Sequence, residues 1–237
     1  MPNPQKIPCV VGKVCSHGHQ VYTVELIPTR PIPRFYSGQF LHLALDVYDP
    51  SSFWPESRVF SIESSPSERD RLKITYSVIG KFTTRMESEL TPGKQVWVKM
   101  PYGNFFIDSK SPVVLIAGGT GITAFASFLE NCKESSENKI LVFYGAKERS
   151  LLLYRDFLNE SKKNKNMQTY YFIENDEKYL EDEIPGQLSV EEIFKRIEAP
   201  SLQKYYLSGP PLMLKYLTNG LQEKGISLES INIDAWG

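Results

Sequence analysis

The chain has 237 residues, 41% hydrophobic and 23% charged, with Lys plus Arg (27) nearly balancing Asp plus Glu (28) for a net charge of −1. This is the balance of a globular chain long enough for one large or two small cores, and it argues against a protein built to grip nucleic acid backbones. No apolar run reaches the roughly 18 residues of a membrane span. Met1-Pro2-Asn3-Pro4-Gln5-Lys6 lacks a charged-then-apolar leader, so a cytoplasmic protein is expected.

In chain order, the first half reads as short strands. Val10–Val14, Gln20–Ile27, Gln39–Leu45, Val59–Glu63, Arg71–Val78 and Gln95–Lys99 are rich in β-branched and aromatic residues, with Gly, Pro and Ser between them. One helix is expected over Thr83–Leu90, closed by Thr91-Pro92-Gly93. Short strands at regular spacing predict a small antiparallel barrel or sandwich. The polar stretch Ile107–Pro112 marks a domain boundary, giving domains over residues 1–110 and 111–237.

Beyond it, strands and helices alternate. Strands are expected at Val113–Ala117, Ile140–Tyr144, Thr169–Ile173, Tyr205–Leu207 and Ile231–Trp236. Helices are expected at Ile122–Cys132, Leu151–Glu160, Val190–Ile197 and Leu212–Gln222. Apolar strands alternating with helices predict an α/β domain with a buried parallel sheet. The charge-rich stretches Asn159–Asn166 and Glu177–Glu183 read as solvated loops or helix faces.

Cysteine and histidine usage narrows the chemistry. Cys9, Cys15 and Cys132 form no Cys-x-x-Cys pair and are too few for a four-thiolate iron–sulfur cluster. His17-Gly18-His19 has no third ligand nearby and reads as a solvated turn, so no metal site is expected. Redox or group-transfer chemistry here needs a bound organic cofactor.

The strongest local signal is Val113–Ala124, where a buried strand runs into a Gly-rich turn that opens a helix. Gly119, Gly121 and Ala124 satisfy G-x-G-x-x-G/A, in which missing side chains let backbone N–H groups approach a pyrophosphate. No Gly-Lys-Ser/Thr follows, which excludes a Walker loop. The acidic ribose ligand expected about 20 residues on is replaced by Leu141 and Val142. Ser208-Gly209-Pro210-Pro211-Leu212-Met213 is a second strand-to-helix turn of the same kind, and the two together suggest one nucleotide cleft. In the β-rich half, Arg58-Val59-Phe60-Ser61 sets a cation, an aromatic face and a hydroxyl along one strand. Gly80-Lys81-Phe82-Thr83-Thr84 opens the first helix with N–H groups suited to a second phosphate.

This set, in this order, resembles the ferredoxin–NADP reductase superfamily, including NADH–cytochrome b5 reductases and oxygenase reductase components. The resemblance runs from about Val10 to Gly237 and includes Pro101-Tyr102-Gly103-Asn104-Phe105, Tyr144-Gly145 and Leu153-Tyr154. It implies a flavin-binding barrel followed by an NAD(P)-binding domain, with FAD and NADH or NADPH as cofactors. Arg58 would pair with the flavin phosphates, Phe60 would stack on the ring, and Ser61 would bond near its N5. Val59, with Tyr76, Ser77 and Val78 on the next strand, would line the same flavin. Gly80, Lys81, Phe82, Thr83 and Thr84 would hold the pyrophosphate. Gly118, Gly119, Thr120, Gly121 and Thr123 would cradle the dinucleotide, closed over by Ser208, Gly209, Pro210 and Met213. Ser61, Ser208 and Trp236 are the residues expected at the reacting rings, although Trp236 could also be an aromatic that merely packs on its sheet.

Three positions depart from the family pattern: Phe60 for Tyr, Ala124 for Pro and Ser208 for Cys. The activity implied is hydride transfer from NAD(P)H to flavin, followed by electron delivery to a ferredoxin, a cytochrome, an oxygenase component or a small molecule. The alternative is a non-catalytic accessory or redox-sensing subunit. The acidic run Glu174-Asn175-Asp176-Glu177 leans toward NADH, because it would repel a 2′-phosphate, while Lys147 and Arg149 lean the other way.

Overall fold

The computed structural model describes residues 3–108, 110–132 and 136–234, which form two compact units. One comprises the chain up to Phe106 together with Ala126–Glu130, and the other takes the remainder.

The first unit is built from β1 (Gln5–Ser16), β2 (Val21–Pro28), β3 (Phe40–Ala44), β4 (Ser57–Ser61), β5 (Leu72–Ser77), α1 (Lys81–Glu89) and β6 (Gln95–Tyr102). The strands form one antiparallel sheet in the order β4-β3-β6-β1-β2-β5. Its edges meet: Glu63 N–H, just past β4, donates to the Lys73 carbonyl of β5 at 2.9 Å. The sheet is therefore a nearly closed barrel, with alternate residues such as Val24, Leu26, Leu41, Leu43, Val96 and Val98 buried inside.

β1 is much longer than Val10–Val14. Its first half pairs with β6 from Gln5 opposite Met100 to Val10 opposite Gln95, with Ile7 and Cys9 inward and Lys6 and Pro8 outward, an alternation too short to mark the strand by itself. A register shift between Val11 and Lys13 marks a bulge at Gly12, where β1 bends along β2. The helix begins at Lys81, ahead of the expected Thr83, because the Thr83 hydroxyl accepts from Ile79 N–H at 2.9 Å and Gly80 N–H at 3.0 Å. Phe82 and Met86, four apart, bury one face of it.

The remaining elements are β7 (Val113–Gly118), α2 (Thr123–Cys132), β8 (Ile140–Ala146), α3 (Arg155–Glu160), β9 (Met167–Ile173), β10 (Glu183–Pro185), α4 (Val190–Phe194), β11 (Lys204–Ser208), α5 (Pro211–Glu223) and β12 (Ile231–Asp234). The strands make one parallel sheet, β10-β9-β8-β7-β11-β12. Successive strands step outward from β7 to β10, and the chain then returns to β7's other side with β11. The order reverses between β7 and β11, the place where open parallel sheets bind ligands. All of β7 is buried, and Leu214, Leu217 and Leu221 of α5 present one apolar stripe to the core.

Two expectations are corrected. Glu177–Glu183 is not simply a solvated stretch: Glu183 opens the short edge strand β10 and its side chain is fully buried. Three residues ending in Pro185 are too few to show a period. The helix expected over Leu151–Glu160 is confined to Arg155–Glu160, because Tyr154 adopts a left-handed backbone (φ 60°) and Leu153 N–H is taken by the Tyr144 hydroxyl at 3.0 Å.

Candidate cofactor-binding sites

In the first unit, the expected flavin residues converge from three elements. Arg58, on β4, extends its guanidinium over the Phe82 ring in the first turn of α1, 5.0 Å from the centroid. Lys81, Phe82 and Thr83 precede the first intrahelical bond, from Thr84 N–H to the Gly80 carbonyl at 2.9 Å, so their N–H groups face out of the helix end. A β-carbon at Gly80 would meet no neighbour, which leaves that end open to an incoming anion. Arg58 and Lys81 are both exposed cations, and the helix dipole has the same sign. The residues present therefore fit a pyrophosphate.

Next to this anion site lies an aromatic wall. Phe60 meets Tyr76 edge-on at 6.3 Å, and Tyr76 stacks on Tyr22 at 5.5 Å. Burial pushes the Tyr76 phenol upward, which keeps it neutral. Val59, Ser61, Ser77 and Val78 are half-buried beside these rings on β4 and at the end of β5. Glu56, which no sequence motif marks, accepts from the Arg58 guanidinium at 2.9 Å. Glu56 lies one residue before β4, and its opposite charge two positions from Arg58 is the signal that could have revealed it.

In the second unit, the Gly118–Thr123 turn and the Ser208–Met213 turn sit side by side at the carboxyl ends of β7 and β11. The glycines there serve different needs. At Gly121 a β-carbon would overlap the Ser208 carbonyl oxygen, and at Gly118 it would overlap the Met213 sulfur. Gly119 instead has a left-handed backbone (φ 55°) and open space where a β-carbon would point. Gly119 is thus the position where a ligand's phosphate can approach the backbone.

A pair of substitutions separates these roles. Gly121→Ala is expected to destabilise the protein by about 1–3 kcal/mol through overpacking. Gly119→Ala is expected to cost only on the order of 1 kcal/mol in stability while weakening dinucleotide binding more than any loss of fold explains. Denaturant midpoints and NADH titrations of both variants check this.

Ser208 is buried, and its hydroxyl donates to the Asp234 carboxylate at 3.0 Å across the β11–β12 pair. Thr123 is buried at the start of α2, Thr120, Gly209 and Met213 are half-buried, and Pro210 is exposed. Trp236 lies outside the described residues. Among the described residues, no group of three or more His, Cys, Asp or Glu could hold a metal ion, and no helix is long and apolar enough to cross a membrane.

At the β10 edge of this sheet lies a charged cluster that joins residues distant in sequence. Glu183 of β10 accepts from Arg149 Nε at 2.7 Å and Nη2 at 2.6 Å, from Arg155 Nη1 at 2.6 Å, and from Leu180 N–H at 2.9 Å. The Arg149 hydrogen bonds outweigh the burial of this carboxyl and hold it down at about 2.

Residues 115–219 match the family model described as the oxidoreductase NAD-binding domain. The chain is 26% identical over 234 residues to a flavohemoprotein of Rhizobium meliloti (strain 1021), which covers 91% of this chain and 56% of that protein. It is also 26% identical over 228 residues to the propane 2-monooxygenase reductase component of Mycolicibacterium goodii, covering 91% and 63% respectively. The chain thus spans less than two thirds of either relative's length. Among solved structures, it matches the flavohem-like FAD/NAD-binding domain of nitric oxide dioxygenase from Vibrio cholerae O1 biovar El Tor, with a TM-score of 0.81, 18% identity and 98% of both chains covered. Residues 115–219 thus resemble an oxidoreductase NAD-binding domain, and the chain shares the fold of that FAD/NAD-binding domain.

Proposed function

We propose that the protein is an NAD(P)H-dependent flavoprotein reductase, with residues 1–110 holding FAD and residues 111–237 holding the nicotinamide dinucleotide. The observation that carries this reading is the meeting of Arg58 with the open first turn of α1 beside the Phe60–Tyr76 wall. When bound, a flavin accepts a hydride from a nicotinamide and releases the electrons singly, which the nicotinamide cannot do.

The chain's residues supply binding and orientation. Arg58 and the Gly80–Thr84 turn neutralise the flavin phosphates, as a guanidinium fork and a helix N-terminus do. Phe60, Val59 and the Tyr76–Val78 stretch would hold the flavin ring, and Ser61 would offer it a hydroxyl hydrogen bond. Gly118–Gly121, Thr123, Gly209, Pro210 and Met213 bind the dinucleotide. Ser208, fixed by Asp234, orients the nicotinamide.

Electrons then pass to a separate acceptor. The relatives include an oxygenase reductase component, which supports an oxygenase component as that acceptor. The free thiols of Cys9, Cys15 and Cys132 suit a reducing cytoplasm.

The purified protein is expected to show a flavin-type visible spectrum, to release FAD by mass analysis, and to bleach anaerobically on addition of NADH or NADPH. It should also turn over with an artificial acceptor. A colourless protein that takes up no FAD defeats the reading. A flavin that neither nucleotide reduces points instead to an accessory subunit.

A further inference from the structure

Where a Gly-rich turn binds a dinucleotide, side chains just past the next strand read the adenosine ribose. A carboxylate suits a free 2′-hydroxyl, and an arginine suits a 2′-phosphate. In this sheet the next strand is β8, and the residues past its end are Lys147, Glu148 and Arg149. The loop after β9 lies alongside, since Glu174 N–H donates to the Ala146 carbonyl at 3.2 Å and Asn175 N–H to the Lys147 carbonyl at 2.8 Å.

Arg149 stands where a phosphate-reading arginine would, but its donors are committed inward. Beyond its two bonds to Glu183, its Nη2 donates to the Lys178 carbonyl at 2.7 Å and lies 3.7 Å from Asp176, and its own N–H donates to Asp176 at 3.2 Å. Arg155 is held in the same way, by Glu183, by Asp182 at 3.5 Å and over the Tyr171 ring at 5.0 Å. The side chain of Glu183 is fully buried, while those of Arg149 and Arg155 are 34% and 15% exposed. Three carboxylates (Asp176, Asp182 and Glu183) thus surround two guanidinium groups, with Glu148, Glu174 and Glu177 nearby in sequence. Lys147, the other cation of the β8 loop, is exposed beside Glu148.

We infer that the buried Glu183 carboxylate withdraws Arg149 and Arg155 from the crevice at the carboxyl ends of β8 and β9, making this site selective for a dinucleotide without a 2′-phosphate. The inference rests on the dinucleotide-binding reading of this unit. Its physical content is that a phosphate dianion would enter a locally acidic surface whose arginines are already saturated. Discrimination of this kind works by repulsion and unmet charge, not by an added contact.

The test uses calorimetric titration of the flavin-loaded protein with two probes, 5′-ADP and adenosine 2′,5′-bisphosphate, so that no turnover is needed. The protein is expected to bind 5′-ADP at least tenfold more tightly. Glu183→Gln keeps the shape but removes the charge that holds both arginines, and it should shift the ratio at least fivefold toward the 2′-phosphate. Because Glu183→Gln could fail to fold, Arg149→Gln gives an independent reading. An arginine already sequestered leaves the weak 2′,5′-bisphosphate binding unchanged, whereas a phosphate-reading arginine would lose about tenfold. Equal or tighter binding of the 2′,5′-bisphosphate by the unaltered protein, or a large loss on Arg149→Gln, overturns the inference and leaves the dinucleotide reading intact. Binding of neither probe overturns both.

Discussion

Arg58→Ala is expected to weaken FAD binding tenfold or more, measured as the Kd for flavin rebinding to apoprotein. Hydrogen bonds to charged groups contribute about 1.5–3 kcal/mol, and a guanidinium fork can give two to one phosphate. The same substitution should leave the apoprotein's stability nearly untouched. The Arg58 side chain is 52% exposed, and its ion pair with Glu56 is equally exposed, a pairing worth about 0–1 kcal/mol at most. A large binding loss without a stability loss is therefore the signature of a phosphate ligand. Arg58→Lys keeps the charge but not the fork and should fall between. Glu56→Gln should act with the opposite sign, since its carboxylate competes with phosphate for the same guanidinium at 2.9 Å. An Arg58→Ala protein that retains flavin with unchanged Kd would mean that the α1 turn and β4 do not hold the phosphates.

How much of this was legible in the sequence depended on how local each signal was. The apolar run Val113–Ala117 and its Gly turn lie within one stretch of chain, and the structure has β7 and the turn there. The pattern Arg58–Ser61 likewise falls on one strand, β4. The first five residues of β1, Gln5–Cys9, were hidden because they carry only two inward apolar residues, Ile7 and Cys9, too few to show a period, although they pair fully with β6. Glu183 was read as solvated because a charge run usually is. Its partner Arg149 lies 34 positions earlier, and only the β8-β9-β10 order brings the two together. The Ser208–Asp234 hydrogen bond was invisible for the same reason. It joins residues 26 apart whose contact requires β11 and β12 to be parallel neighbours. Local propensity and turn chemistry thus located the elements and the Gly turns, while polar pairs across the sheet depended on topology.

That cross-sheet pairing carries the second large effect. Glu183→Gln is expected to destabilise the second unit by on the order of 3 kcal/mol at neutral pH, because removing one partner of a buried ion pair strands the other's charge. Surface pairs elsewhere offer a contrast. Arg85 bridges Asp46 and Glu89, but those side chains are 38%, 53% and 30% exposed, so solvent screening leaves each pair a fraction of that value. The pH dependence follows from the direction of the shift. The Glu183 carboxyl titrates at about 2 in the folded chain against 4.5 for an ordinary glutamate. A depressed folded value means that the unfolded chain takes up the proton first. The contribution of Glu183 is therefore fully present above about pH 5, and it is lost as pH falls from 4.5 toward 2. Stability of the unaltered protein and of Glu183→Gln, compared by chemical denaturation at a series of pH values, should differ by the full amount at pH 7 and converge near pH 2. Hydrogen exchange across β9 and β10 should show the same convergence locally. A difference that stays constant down to pH 2 would show that the variant loses packing and not charge, and that the two arginines do not depend on Glu183 for their counter-charge.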